Sequence, residues 1–334
     1  MGISGYPTEL TTRPLEGCAA DAADMALLFL ETFEFDQVTL ITHGDFDIDL
    51  LRPYQKNSSK QILHYNPEEV PTRTTLLEKL TELAKGEPGS TEDIVVFYFS
   101  GHGHREGHTE DIRSSSVETI LTLTGDDGRS VVVDSELRQK LRQIEESRNT
   151  HNVVAIMDNC RSGSIFHGGM EEDTSRDVTL LQKEKAFAEE QKLALSEDST
   201  KEVGCIIMTA CREAQQAKEV EIPGLYSKRG QFTYSLSKLL RLNGSSQRSY
   251  MVIHQLLKAD KAFSEQTPTI MGPQLGRKIF SGEEVVQDHC HYVKGVEIVG
   301  GLMNGIEKES TWAIRDVRNR GTAEPTRDVT STFE

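Results

Sequence analysis

The chain has 334 residues, 36% of them apolar, a formal net charge of −16 and a mean hydropathy of −0.46. That acidity excludes nucleic acid as the main partner, since phosphate binding needs a basic surface, and it would attract a basic substrate segment. No apolar run approaches the ~20 residues of a membrane span, and no basic start followed by an apolar core marks a signal peptide. Five cysteines (Cys18, Cys160, Cys205, Cys211 and Cys290) are few and odd in number. They fit a reduced, cytoplasmic protein with one reactive thiol better than a disulfide scaffold.

Gly17 to Phe33 reads as a helix, with Ala22, Met25, Ala26, Phe29 and Phe33 on one face. A short strand is expected from Val38 to Thr42, then a long polar surface loop from His43 to Pro71. Thr74 to Lys85 is a helix with Leu76, Leu77, Leu80 and Leu83 inward. Ile94 to Phe99 is continuously apolar, as a strand covered on both faces should be. His104 to Ser116 reads as a polar loop and Val117 to Leu123 as a strand. Asp134 is suited to cap a helix carrying Leu137, Leu141 and Ile144.

Asn152 to Met157 is a second buried strand, running into Asp158-Asn159-Cys160-Arg161-Ser162-Gly163. Ser164 to Glu202 is charged and poor in large apolar groups, and reads as a long surface insertion. Cys205 to Ala210 is a further strand. A loop from Glu213 to Gly230 leads to a helix with Phe232, Leu236, Leu239 and Leu240, and another follows from Ser249 to Phe263. Gln266-Thr267-Pro268 ends it and opens a short extended piece. Strands alternating with helices predict an α/β fold with a mostly parallel central sheet and helices on both faces. The expected organisation is one domain over 1–281, with the insertion at 164–202, and a small β module or tail over 282–334.

Open α/β sheets place ligands at the carboxyl ends of their strands. The Ile94 strand ends in Ser100-Gly101-His102-Gly103, and the Asn152 strand ends beside Cys160. The two strands thus offer an imidazole and a thiol to one sheet edge. A thiol attacks as its thiolate, and a neighbouring imidazole can take its proton and return one to a leaving amine. The backbone N–H groups of Gly103 and Cys160 are candidates for an oxyanion hole. A histidine between glycines can also be an ordinary tight loop, and a cysteine after a strand can be ordinary packing. For Cys205 and Cys211, packing is the expected role. The polar neighbours Asp158 and Arg161 set Cys160 apart.

These motifs resemble the caspase-like cysteine peptidases of family C14, and within them the metacaspases. Asp158-Asn159-Cys160-Arg161-Ser162-Gly163 is similar to the metacaspase pattern Asp-x-Cys-x-Ser-Gly, and His102 lies 58 positions upstream of Cys160. Gly17-Cys18 with Asp21, Thr209-Ala210-Cys211-Arg212-Glu213, Phe232-Thr233-Tyr234 and Gln266-Thr267-Pro268 match in family order. The resemblance implies the caspase-like fold, a His102–Cys160 dyad, and peptide hydrolysis after Arg or Lys. It places Cys18, Asp21, Ser100 and Asp158 around the substrate pocket. It implies protein or peptide substrates with basic residues, and no nucleic acid or membrane partner. Self-processing within 164–202 is expected, with Arg176, Lys183, Lys185 and Lys192 as cleavage points.

The family opens on an apolar first strand in mid-sheet, of which Gly2-Ile3 is the counterpart here, a shortened form. No cofactor is required by a thiol–imidazole dyad. Some metacaspases are activated by calcium through aspartates near Asp126, Asp127 and Asp134, so the resemblance leaves calcium activation open here; Ser135 stands where a paired acid is expected, and a solvated acidic loop is the preferred reading. His43, His104, His108, His289 and His291 form no zinc framework. The alternative function is a catalytically weak or inactive caspase-fold interaction module.

Overall fold

The computed structural model describes residues 1–11, 14–54, 61–85, 93–106, 117–159, 184, 186–188, 191, 204–212, 215–224, 228–242, 244–260, 262–263, 265–283, 293–294, 297–298, 311–314 and 327–330. Two compact units divide at residue 284.

In the larger unit the elements run β1 (Gly2–Ile3), α1 (Cys18–Glu31), β2 (Gln37–Leu40), β3 (Thr42–His43), β4 (Ile62–Tyr65) and α2 (Arg73–Ala84). Then come β5 (Val95–Ser100), β6 (Gly103–Glu106), β7 (Val117–Leu121), β8 (Val131–Val133), α3 (Asp134–Arg148) and β9 (Val153–Asp158). The last part holds β10 (Ile206–Thr209), β11 (Glu219–Val220), β12 (Arg229–Gly230), α4 (Gln231–Leu240), α5 (Tyr250–Ala259) and β13 (Thr269–Met271). Six strands make the central sheet in the order β13-β10-β9-β5-β1-β3. Every pairing is parallel except that of β13 with β10.

Alternation along the strands builds two cores. Val95, Phe97 and Phe99 with Val153, Ala155 and Met157 face one side, where Leu76 and Leu80 of α2 and Leu137, Leu141 and Ile144 of α3 cover them. Tyr98, Val154, Ile156, Ile206 and Met208 face the other side, against α1, α4 and α5. Each buried Val, Leu, Ile, Phe or Met side chain here contributes about 1.5–3 kcal/mol, so a strand apolar on both faces is fixed in the middle of the sheet. Two of the helices start on side-chain caps, and a third ends on a left-handed residue. Thr72 caps α2 by accepting from Thr75 N, Ser249 caps α5 by accepting from Val252 N, and Asn149 ends α3 in the left-handed region at φ 52°. The α/β fold with a mostly parallel sheet and helices on both faces is the one expected, and β1 takes the mid-sheet place between β5 and β3.

Several local expectations need correction. The stretch 43–71 is more than a loop: β4 pairs in parallel with β2, Gln37 opposite Ile62, after a 3-10 turn at Ile48–Leu51. The single strand expected from Val38 is two, β2 in that side pair and β3 in the main sheet. β6 and β8 were not anticipated; with β7 they form an antiparallel three-stranded sheet. His104, expected in a polar loop, is buried on β6. Val133, not Asp134, is the N-cap of α3; Asp134 is its first residue and pairs with Arg138 one turn on. Part of the insertion is not surface: Glu184, Phe187 and Ala188 are buried. Phe187 packs with Leu10, Leu121 and Val131, and Ser130 N donates to Glu184 Oε2 at 3.5 Å.

The smaller unit, 285–334, contains two antiparallel strand pairs among its described residues: β14 (Val293–Lys294) with β15 (Glu297–Ile298), and β16 (Thr311–Ile314) with β17 (Arg327–Thr330). Among the described residues, no helix is long and apolar enough to cross a membrane.

Candidate active site

The parallel register brings the functional strand ends to one edge. Ser100 on β5 lies opposite Asp158 on β9, and Gly101 N donates to Asp158 O at 3.3 Å. Gly2 pairs with Ser100 from the other side, and Ser100 N donates to Met1 O. His102 follows two residues beyond β5's carboxyl end and is fully buried. Asn159 is 3% exposed. Cys160 lies outside the described residues, as do all but five residues of the 164–202 insertion.

His102 is held by a side chain from far away in the chain. His102 N donates to Tyr6 Oη at 3.0 Å, and the same hydroxyl donates to Leu121 O at 2.9 Å. Leu121 N in turn donates to His102 O at 3.0 Å. The Tyr6 hydroxyl is thus wedged into the ladder between His102 and Leu121 and replaces one of its two bonds. The rings of Tyr6 and His102 lie 4.8 Å apart, tilted by 50°. A Cβ on Gly101 would come within 2.5 Å of the Tyr6 hydroxyl, so this contact requires glycine there. Because His102 and Leu121 are the hydrogen-bonding pair, alternation makes Gly103 and Ile120 a non-bonded pair. That turns the Gly103 N–H away from β7.

Of the four residues expected around a substrate pocket, Asp21 and Ser100 are in direct contact, Asp158 lies opposite Ser100 in the sheet, and Cys18 precedes Asp21 on α1. Cys18 and Asp21 occupy the first turn of α1, fully buried. Ser100 Oγ donates to Asp21 Oδ2 at 3.3 Å. Asp158 is fully buried too, and its Oδ2 accepts from Thr233 N at 3.1 Å and Thr233 Oγ1 at 2.6 Å. Thr233 lies in the first turn of α4, where a carboxylate meets the positive end of the helix. Tyr98 Oη shares that threonine at 2.7 Å. Asp158 therefore ties α4 to the sheet edge.

Asp21 has a partner that the sequence did not reveal. Arg229 Nε donates to Asp21 Oδ1 at 2.7 Å, and Gly230 N donates to Asp21 Oδ2 at 2.8 Å. The Arg229 guanidinium also reaches Asp24 Oδ2 at 3.1 Å, and its side chain is 11% exposed. Burial opposes the charge on Arg229, but Asp21 and Asp24 outweigh it and hold its pKa above the ordinary arginine value. Beside this pair, Glu219 on β11 accepts from Glu16 N, Gly17 N and the Cys18 thiol, the last at 3.7 Å. Tyr6, Arg229 and Glu219 are the site residues that sequence reasoning missed. Only the adjacency of Arg229 to the Phe232-Thr233-Tyr234 match hinted at one of them.

Cys205 and Cys211 are placed for packing. Cys205 and Cys211 are buried, and burial pushes the Cys205 thiol from 9.0 up to about 12. Cys211 Sγ donates to Gln215 O at 3.2 Å. The residues after β10 are tied to the Gln266-to-Pro268 segment: Gln266 Nε2 donates to Ala210 O, and Thr267 N donates to Gln215 Oε1. Asp127 accepts from Arg73 and from Arg129 N, and Asp134 from Arg138. Among the described residues, no group of three or more His, Cys, Asp and Glu side chains is placed to hold a metal ion.

A family model described as the caspase domain, Peptidase_C14, matches residues 1–280. The chain is 24% identical over 296 residues to "Metacaspase-1" of Plasmodium falciparum (isolate 3D7), covering 86% of this chain and 42% of that protein. It is 23% identical over 167 residues to "Metacaspase-1" of Arabidopsis thaliana, covering 49% of this chain and 39% of the relative. The chain spans less than half the length of these curated relatives. A structural similarity to caspase-1 from Spodoptera frugiperda has a TM-score of 0.45 at 8% identity, covering 81% of this chain and 83% of that one.

Proposed function

The chain belongs to the caspase-domain family of peptidases, and from that premise we propose that it is a cysteine endopeptidase that cuts after Arg or Lys with a His102–Cys160 dyad. The observation that carries the proposal is the buried, braced His102 at the carboxyl end of β5, on the same sheet edge as Asp158 and the β9 exit toward the cysteine. In the proposed reaction the Cys160 thiol gives its proton to the imidazole, and the thiolate sulfur bonds to the substrate carbonyl carbon. The carbonyl π electrons move onto oxygen, where the Gly103 and Cys160 N–H groups would stabilise them. Collapse breaks the C–N bond, and the imidazolium protonates the leaving amine. Water, deprotonated by the same imidazole, then releases the acyl group and restores the thiol. The orientation of the Gly103 N–H away from β7 supports its oxyanion role.

The basic preference rests on Asp21, with Ser100 beside it, as the charged wall of the pocket. The reading includes self-processing within 164–202, no cofactor requirement, and peptide or protein substrates. The small, odd number of cysteines fits a cytoplasmic setting. A matched peptide set differing only in Arg, Lys, Asp or Ala at the cleaved position tests it. Arg should be cut fastest, and a faster Asp peptide would overturn the pocket assignment. One observation favours a second reading, a caspase-fold interaction module without turnover: Asp21 is already paired within the chain.

A further inference from the structure

The pocket that the proposed function assigns to a basic side chain already contains one. Asp21 is fully buried, and both of its oxygens are engaged: Oδ1 by Arg229 Nε, Oδ2 by Gly230 N and Ser100 Oγ. The Arg229 side chain is itself nearly buried and spans from Asp21 to Asp24. Asp24 is shared with Arg241, whose Nη2 approaches at 2.7 Å. A substrate guanidinium approaching Asp21 with Arg229 in place would meet a like charge in a desolvated site, a strongly unfavourable juxtaposition. It cannot simply add to the pair; it has to take Arg229's place.

Resting on the reading of Asp21 as a substrate-binding residue, we propose that Arg229 is an internal competitor for the Asp21 carboxylate. A basic substrate side chain binds by displacing it, so Arg229 sets the affinity and the Arg-over-Lys ratio of the pocket. The exchange is conservative in charge and in hydrogen bonds only for an incoming guanidinium. It replaces one planar, forked cation by another at the same carboxylate. An ammonium group brings a point charge and fewer aligned donors, so it competes poorly. Removing Arg229 should therefore tighten binding of both kinds of cation and narrow the gap between them.

The test uses agmatine, a guanidinium probe with no bond to cleave, titrated calorimetrically into the wild-type chain, Arg229→Gln and Asp24→Asn, with thermal melting to confirm folding. Loss of a competing charge-assisted pair predicts about tenfold tighter agmatine binding in Arg229→Gln. Asp24→Asn, which loosens Arg229 without touching Asp21, should shift it the same way by a smaller factor. If Arg229→Gln does not fold, Asp24→Asn alone decides. Equal or weaker binding in the folded variants, or no binding in any of them, overturns the proposal. Peptide turnover measured in parallel separates this from the parent reading. Tightened agmatine binding without turnover in any chain upholds the competitor and sinks the peptidase. Turnover of Arg peptides with KM unchanged in both variants sinks the competitor alone. Loss of cleavage after Asp on Arg229→Gln would also overturn it, because Arg229 would then be a ligand for acidic substrates.

Discussion

The Tyr6 hydroxyl sits between His102 N at 3.0 Å and Leu121 O at 2.9 Å, joining the turn after β5 to β7 through a residue 96 positions before His102. Without it, the His102 N–H and the Leu121 carbonyl lose a shared buried partner. Tyr6→Phe keeps the ring against the imidazole and deletes only that bridge. The expected outcome is a stability loss of about 1–3 kcal/mol, the cost of unsatisfied buried groups. The peptide kcat/KM should also fall, with its pH profile altered. A melting temperature and a pH–rate profile both identical to wild type would show that the hydroxyl does not position His102.

Asp158 is buried against the first turn of α4, so its substitution should be felt in folding as well as in binding. From the sequence alone, Asp158→Ala should affect KM far more than stability. The two bonds from Thr233 change that expectation. Asp158→Ala should destabilise the chain by about 1–3 kcal/mol, and Thr233→Val should lose part of the same amount. Denaturant titration of both variants checks this. An unchanged midpoint for Asp158→Ala would restore the purely substrate-facing role.

How much of this was legible in the sequence depended on burial and on range. β5 and β9 are covered on both faces, so their continuous apolar runs showed their length and their place in the sheet. α1 and α2 showed themselves by periodic apolar faces. β4 did not, because Ile62 and His64 are exposed and only Leu63 is buried, too short a pattern to mark a strand. Val131–Val133 is three buried residues that alternation cannot distinguish from a helix start. Resemblance points to Cys18, Asp21, Ser100 and Asp158; of these, Asp21 and Ser100 touch, and Ser100 and Asp158 are cross-strand neighbours. Tyr6 and Arg229 could not be found by local pattern, since their key contacts span 96 and 208 positions.

Self-cleavage in the insertion should be uneven. Glu184, Phe187 and Ala188 are buried, and the Phe187 ring lies under Arg129 at 4.3 Å and Arg73 at 5.2 Å. A docked segment must detach before it can enter an active site. Cleavage after Arg176 should therefore precede cleavage after Lys183 or Lys185, which neighbour the buried Glu184 in sequence. Phe187→Ala should accelerate the later cuts. Mass mapping over a time course decides it; equal rates at all of these sites in the wild-type chain would show that docking does not protect them.

Alkaline pH should weaken the fold through Cys205. Burial raises its thiol from 9.0 to about 12, so the native state holds its proton where the unfolded chain releases it. The associated stability is complete below pH 9 and is lost as pH rises through about 12. Cys205→Val should flatten the alkaline limb of a stability–pH curve. A limb of unchanged slope would assign it to other groups.

The central claim is that Cys160, activated by His102, is the nucleophile for cleavage after arginine. The direct measurement is kcat/KM on matched Arg and Asp peptides for the wild-type chain, Cys160→Ala and His102→Ala, with thermal melting of each. The account predicts cleavage of the Arg peptide by the wild type and its loss in both folded variants, with little cleavage of the Asp peptide. Retained turnover in folded, purified Cys160→Ala protein would contradict it.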